Sequence, residues 1–104
     1  MPTYITLINF TDQGARAVRD TARRAKAFRD EAAKSGVTVK QVYWTLGAFD
    51  GLLIFEAESE QAAASALFNL AAKGNVHTQT LRAFDESEIA ALLGSGGRSA
   101  GRKK

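Results

Sequence analysis

The stretch Leu52-Leu53-Ile54-Phe55 sets four large apolar side chains in succession between Gly51 and Glu56. It is short, glycine-bounded and rich in strand formers, so it reads as part of a β-strand rather than a helix. Successive side chains of a strand point to opposite sides, so a run apolar at every position must be covered on both faces. Any sheet built around this strand therefore needs a layer over each surface.

The remaining segments supply the sheet and one of those layers. Thr3 to Phe10 alternates Tyr4, Thr6, Ile8 and Phe10 against Ile5, Leu7 and Asn9, which predicts a first strand with two largely apolar faces. Asp12 and Gly14 mark a turn. Ala15, Val18, Ala22, Ala25, Phe28 and Ala32 then recur at helical spacing as far as Gly36. The other side of that helix is basic, and Arg16/Asp20, Asp20/Arg24 and Lys26/Asp30 are spaced for i,i+4 ion pairs. Val37 to Leu46 reads as a second strand. It joins the third, Leu52 to Ala57, through a loop with Gly47 and Gly51 at its ends. Ser59 is placed to cap a second helix with the stripe Ala62, Ala63, Ala66, Leu67 and Leu70, which stops at Lys73 and Gly74. Val76 to Phe84 gives a fourth and more polar strand, and Asp85 with Glu88 forms a capping box ahead of a short helix ending at Leu93.

The order strand, helix, strand, strand, helix, strand predicts an α+β, ferredoxin-like βαββαβ fold. Its four-stranded antiparallel sheet carries two helices on one face, and a short C-terminal helix follows. The other face stays open and, on the alternation above, apolar. A patch of that kind marks an interface, and a second copy of the chain is its simplest cover. A homodimer through the open sheet face, closing a dimeric α+β barrel, is therefore expected.

Composition narrows the chemistry. The 104 residues suit one domain, assigned to residues 1–93, followed by a flexible basic glycine-rich tail over residues 94–104. Cysteine is absent and histidine occurs once, so thiolate chemistry is excluded, and no metal site or cofactor is expected. The net charge of +3 comes from the tail, where Arg98, Arg102, Lys103 and Lys104 stand without an acid, and the remainder is close to neutral. Four such charges without interleaved aromatics disfavour nucleic-acid binding as a function. No apolar run is long enough for a membrane span and no secretory leader is evident, so a cytoplasmic protein is expected.

Three segments carry a family resemblance: Tyr4-Ile5-Thr6-Leu7, then Val42-Tyr43-Trp44-Thr45-Leu46-Gly47 with Phe49-Asp50-Gly51, then Asn75 to Phe84. Together they resemble the bacterial GYD-domain proteins over roughly residues 2–93. The family's Gly-Tyr-Asp signature corresponds here to Gly47-Ala48-Phe49-Asp50-Gly51, with phenylalanine in place of the usual tyrosine and its hydroxyl. Ala22 stands where proline is frequent, and His77 where arginine is more common. The resemblance implies a dimeric α+β barrel and carries over no catalytic residue.

Six residues are candidates for binding a ligand. Asp50 can face a ligand or accept hydrogen bonds from loop amides, and its turn position favours the second role. Phe49 reads as a plug for the same loop. Tyr43 and Trp44 are adjacent on one strand and point to opposite faces, where burial in core or interface outweighs a pocket role. His77 is the single histidine, the residue type first considered for acid–base work, but it stands without a motif. Asn9 and Arg24 are expected to converge between sheet and helices, although Asn9 can satisfy a local amide and Arg24 can pair with Asp20. The functional expectation is a homodimeric small-molecule-binding or accessory module. The alternative is a cofactor-independent enzyme of oxygenase or isomerase type, an analogy from fold. An enclosed cavity of at least about 300 Å³ would favour ligand binding, and a collapsed interior would favour an interaction role.

Overall fold

The computed structural model describes residues 1–97, with side chains as far as Gly94. Along the chain come β1 (Thr3–Phe10), α1 (Asp12–Arg16), a 3-10 turn (Val18–Asp20), α2 (Thr21–Ala33), β2 (Val37–Trp44), β3 (Gly51–Ala57), α3 (Glu60–Ala72), β4 (Val76–Ala83) and α4 (Glu86–Gly97). The strands form one antiparallel sheet in the order β2-β3-β1-β4. This is the expected ferredoxin-like arrangement. The apolar run lies in β3, which is flanked by β2 and β1.

Register sorts the side chains between the two faces. Tyr4 lies opposite Phe55, Thr6 opposite Leu53 and Ile8 opposite Gly51, so these residues share one face. Phe28 and Ala32 of α2 and Ala63 and Ala66 of α3 are buried in the same core as Leu53 and Phe55. The Tyr4 and Phe55 rings stack at 5.2 Å. Thr6 is the core's buried polar side chain, and its hydroxyl is satisfied by that of Thr80 at 2.9 Å. On the other face Ile5 pairs with Ile54 and with Leu81, and Leu7 pairs with Leu52, which in turn pairs with Tyr43. Ile5, Leu7, Leu52 and Ile54 are half-buried and lie outside the core cluster, while Leu81 and Tyr43 are each 51% exposed. One half of the covering requirement is thus met by α2 and α3. Among the described residues, the face carrying Ile5, Leu7, Leu52 and Ile54 has no such cover.

The first helix departs from expectation. The predicted turn at Asp12 and Gly14 is itself helical, and the single helix from Ala15 onward breaks into α1, a 3-10 turn and α2. The cause is a docking contact with the α3–β4 corner. Thr11 donates its hydroxyl to Gly74 O (2.6 Å) and its amide to Asn75 O (3.1 Å), and it caps α1 by accepting from Gly14 N (3.1 Å). Gln13 Nε2 adds bonds to Lys73 O and to Asn75 Oδ1. This clasp sets the direction of α1, and the chain leaves the helical region at Ala17 (φ −104°, ψ 27°) before restarting at Thr21. Arg16 and Asp20 lie on either side of the break, and Arg24 bonds Ala17 O, so neither of the two expected pairs with Asp20 forms. Asp20 pairs instead with Arg23 at 3.2 Å, and only Lys26/Asp30 forms as expected, at 3.0 Å.

The clasp also dictates Gly14. A Cβ on that residue would stand 2.0 Å from Asn75 O, a backbone atom that cannot swing away. Gly14→Ala is expected to cost about 3 kcal/mol in urea unfolding, as overpacking against fixed backbone does. A midpoint equal to that of the parent protein would show that the corner is loose.

A register jump between Val39 and Gln41 marks a β-bulge at Lys40. It resets the alternation, so that Val39 opposite Phe55 and Val42 opposite Leu53 both pack against the core. At the end of the domain, Asp85 and Glu88 form the predicted capping box: Asp85 Oδ1 accepts from Glu88 N (2.8 Å), and Asp85 N donates to Glu88 Oε1 (3.0 Å). The bond from the Glu88 amide, followed by that from the Ser87 hydroxyl, holds the Asp85 carboxyl below its usual range. A folded-state pKa depressed in this way stabilises α4 above the ordinary aspartate pKa, and the effect is lost as pH falls through the lowered value. A carboxyl-carbon NMR titration should show Asp85 protonating below the ordinary aspartate range, with the amides of α4 exchanging faster as it does. Titration in the ordinary range would contradict the box.

The helix runs to Gly97, beyond Leu93 where order was expected to fade. Once the capped first turn exists, each further residue adds a backbone hydrogen bond without a new nucleation cost. The expected tail residues Arg98, Arg102, Lys103 and Lys104 lie outside the described residues. Among the described residues, no helix is long and apolar enough to cross a membrane.

Candidate functional site

A cavity of about 140 Å³ lies between the core face of the sheet, the first half of α2 and the end of α3. Its sheet side is made by Ile8, Phe10, Val42 and Leu53, and its helix side by Ala25, Phe28 and Leu70. Two local features leave the space open. The side chains of α2 facing it at positions 25 and 27 are alanines, and Gly51 sits between Ile8 and Trp44 in the sheet without a side chain. A Cβ at Gly51 would approach Tyr43 O to 2.8 Å, so glycine is required there by backbone proximity as well.

The polar groups bordering this apolar space come from elements that the break in the first helix and the β2–β3 loop bring together. Arg24 donates from Nη1 to Ala17 O at 2.8 Å, a carbonyl at the helix break that also accepts from Asp20 N at 3.0 Å. Among the described residues, its Nη2 is buried without a partner. Asp50 is fixed at the end of the loop. Its amide donates to Ile8 O (2.8 Å), its carbonyl accepts from Thr45 N (2.9 Å), and its Oδ2 accepts from Phe10 N (2.8 Å). The carboxylate thus bonds the end of β1 rather than an amide of its own loop, and the residue borders the cavity as well. Trp44 Nε1 donates to Thr21 Oγ1 at 3.0 Å, tying the edge of the sheet to the start of α2. Lys73, also at the border, is engaged with Glu31 at 2.9 Å. Among the described residues, neither Arg24 nor Asp50 forms an ion pair.

Of the six candidates, Arg24, Trp44, Asp50 and Tyr43 border the cavity. Tyr43 does so although its register with Leu52 assigns its side chain to the open face, opposite Trp44. Asn9 and His77 do not border it. Ile8 and Phe10 both line the cavity, so Asn9 between them points away, and its register partner is His77. The expected convergence of Asn9 with Arg24 is thus corrected by strand alternation. The expected pairing of Arg24 with Asp20 gives way to the bond with Ala17. Thr21, Lys73 and Asn75 also reach the cavity and were not predictable from local pattern, because the corner clasp and the helix break bring them there. Among the described residues no group of three metal-ligating side chains occurs.

The cavity is less than half the roughly 300 Å³ expected for a drug-sized ligand. It is close to the roughly 150 Å³ that accepts a benzene-sized molecule.

Comparison with known proteins was consistent with the resemblance noted in the sequence. The family model described as the GYD domain matches residues 4–93. A protein of Thermus thermophilus named "Glutamine synthetase and cystathionine beta-lyase binding protein" is 36% identical over 94 residues, which cover 89% of this chain and 99% of that protein. A crystal structure of a Thermus thermophilus protein aligns with a TM-score of 0.51 at 22% identity, covering 82% of this chain and 95% of the other. That likeness supports the fold.

Proposed function

We propose that this chain, which belongs to the GYD-domain family, acts as a homodimeric accessory module in the cytoplasm that attaches to a metabolic enzyme. The observation that carries the reading is the open sheet face, where Ile5, Leu7, Leu52, Ile54 and Leu81 form a continuous apolar strip that α2 and α3 leave uncovered. A face of this kind is retained for contact with protein, and a symmetric pairing of two copies covers it without exposing a new edge. The small cavity fits the same reading, since it leaves little room for a large substrate. The name of the Thermus relative, which this chain matches over nearly that protein's whole length, supports an attachment role and nominates partners.

The alternative of a cofactor-independent oxygenase or isomerase has less support. His77, the side chain best suited to proton transfer near neutrality, belongs by register to the open face rather than the cavity, as does Asn9. Glutamine synthetase and cystathionine β-lyase from the same organism as this chain are the partners to test. Sedimentation of each purified enzyme with the full-length chain should show a complex that saturates at a fixed ratio. Independent migration in both mixtures at about 10 μM would remove these two enzymes as partners and with them the support that the relative lends.

A further inference from the structure

The cavity combines an apolar wall with polar neighbours that are turned elsewhere. Ile8, Phe10, Val42 and Leu53 face it from the sheet, and Phe28 and Leu70 from the helices. At its border Arg24 is spent on Ala17 O, Asp50 Oδ2 accepts from Phe10 N, Lys73 pairs with Glu31, Trp44 donates to Thr21, and Asn75 Oδ1 accepts from Gln13. The second terminal nitrogen of Arg24 is buried in protein and offers the space no surface. Packed interiors hold few voids larger than a water molecule, and this one is kept open by parts that cannot close on it. Ala25 and Ala27 carry only methyl groups, and Gly51 has no room for a Cβ, which would meet Tyr43 O at 2.8 Å. The 3.0 Å bond from Trp44 to Thr21 fixes the distance between the end of β2 and the start of α2.

We infer that the cavity is a binding site for an uncharged apolar molecule the size of one six-membered ring. Its volume of about 140 Å³ sets the size, because an apolar cavity of roughly 150 Å³ lined by Leu, Ile and Phe accepts benzene. The lining sets the class. A buried water needs two to four polar partners, and an ionised group needs a counter-charge or several hydrogen bonds, neither of which this wall supplies. An apolar ring needs only contact: it leaves water and meets close-packed carbon on the sheet and helix sides. Trp44 borders the cavity and is 48% exposed, so it stands where the space meets solvent. The site lies on the helix-covered face of the sheet, opposite the strip assigned to the second copy, and needs neither that copy nor an enzyme partner.

Benzene is the probe, with benzoate and benzylammonium as its charged counterparts, and binding to the full-length protein is followed by amide and indole NMR. The single tryptophan gives one indole N–H signal, and Ala25 and Gly51 report from the α2 and sheet sides of the cavity. Benzene should move these three signals saturably with a Kd of about 1 mM, while the amides of Ile5 and Leu81 on the open strip stay in place. Benzoate and benzylammonium should bind at least about tenfold more weakly, since each must bury a charge. Ala25→Leu, whose longer side chain fills the space, should weaken benzene binding by a similar factor. If that variant fails to fold, the comparison of the three probes on the parent protein still decides. Shifts that do not saturate up to about 10 mM, shifts centred on the open strip, a charged probe binding as tightly as benzene, or undiminished binding by a folded Ala25→Leu overturns the inference.

Discussion

Replacing Ile54 by lysine should convert the proposed dimer to monomer while leaving the subunit folded. Ile54 faces Ile5 on the uncovered side of the sheet and contributes nothing to the buried core. In a symmetric pairing each copy would bring a lysine into the apolar contact, and an ammonium group cannot be buried there without a partner. A loss of at least about 3 kcal/mol in association is expected, which is more than a hundredfold in Kd. Sedimentation together with circular dichroism checks both halves of the prediction. A variant that associates as tightly as the parent would place the interface elsewhere. The neighbouring residue supplies the contrast: Leu53 is 3% exposed and faces the helices, so Leu53→Lys should unfold the subunit rather than dissociate it.

Phe55→Ala should be the most damaging single truncation in the core. The residue is 1% exposed, is the largest fully buried side chain, and stacks on Tyr4 between β1 and the helices. Removing the ring loses its transfer free energy and its aromatic contact and leaves a cavity, together about 3–5 kcal/mol. A domain of this size has about 5–15 kcal/mol of stability in total, so the loss removes a large share of it and leaves a domain near the low end of that range marginally stable. Urea denaturation measures the loss. A cost below about 1 kcal/mol would mean that the core repacks freely around the space, contrary to the packing described.

These two residues also show why the fold was legible. Ile54 and Phe55 are adjacent, both apolar, and lie on opposite sides of one strand. The sequence could only say that each side needs a cover; it could not say which side the helices take. Register answers that question, because Phe55 pairs with Tyr4 and Ile54 with Ile5. The helix stripe through Phe28 and Ala32 and the caps at Ser59 and Asp85 are local signals, and they were readable for that reason.

What was not readable depends on contacts distant in sequence. The split of the first helix follows from the hydrogen bonds of Thr11 and Gln13 to residues 73–75, which no spacing within the helix announces. The same break turns Ala17 O toward Arg24, so the role of that arginine was hidden with it. The bulge at Lys40 leaves no sequence mark, because the jump is visible only against β3. Asn9 was misplaced for a simpler reason. Its own alternation with Ile8 and Phe10 contained the answer once the apolar pair was known to line the cavity.

Closure of the uncovered strip of Ile5, Leu7, Leu52 and Ile54 by a second copy is the central proposal. Sedimentation equilibrium of the parent protein at about 10 μM tests this directly. A species of twice the 11.2 kDa chain mass is expected, and a well-folded species that stays at 11.2 kDa would contradict the pairing.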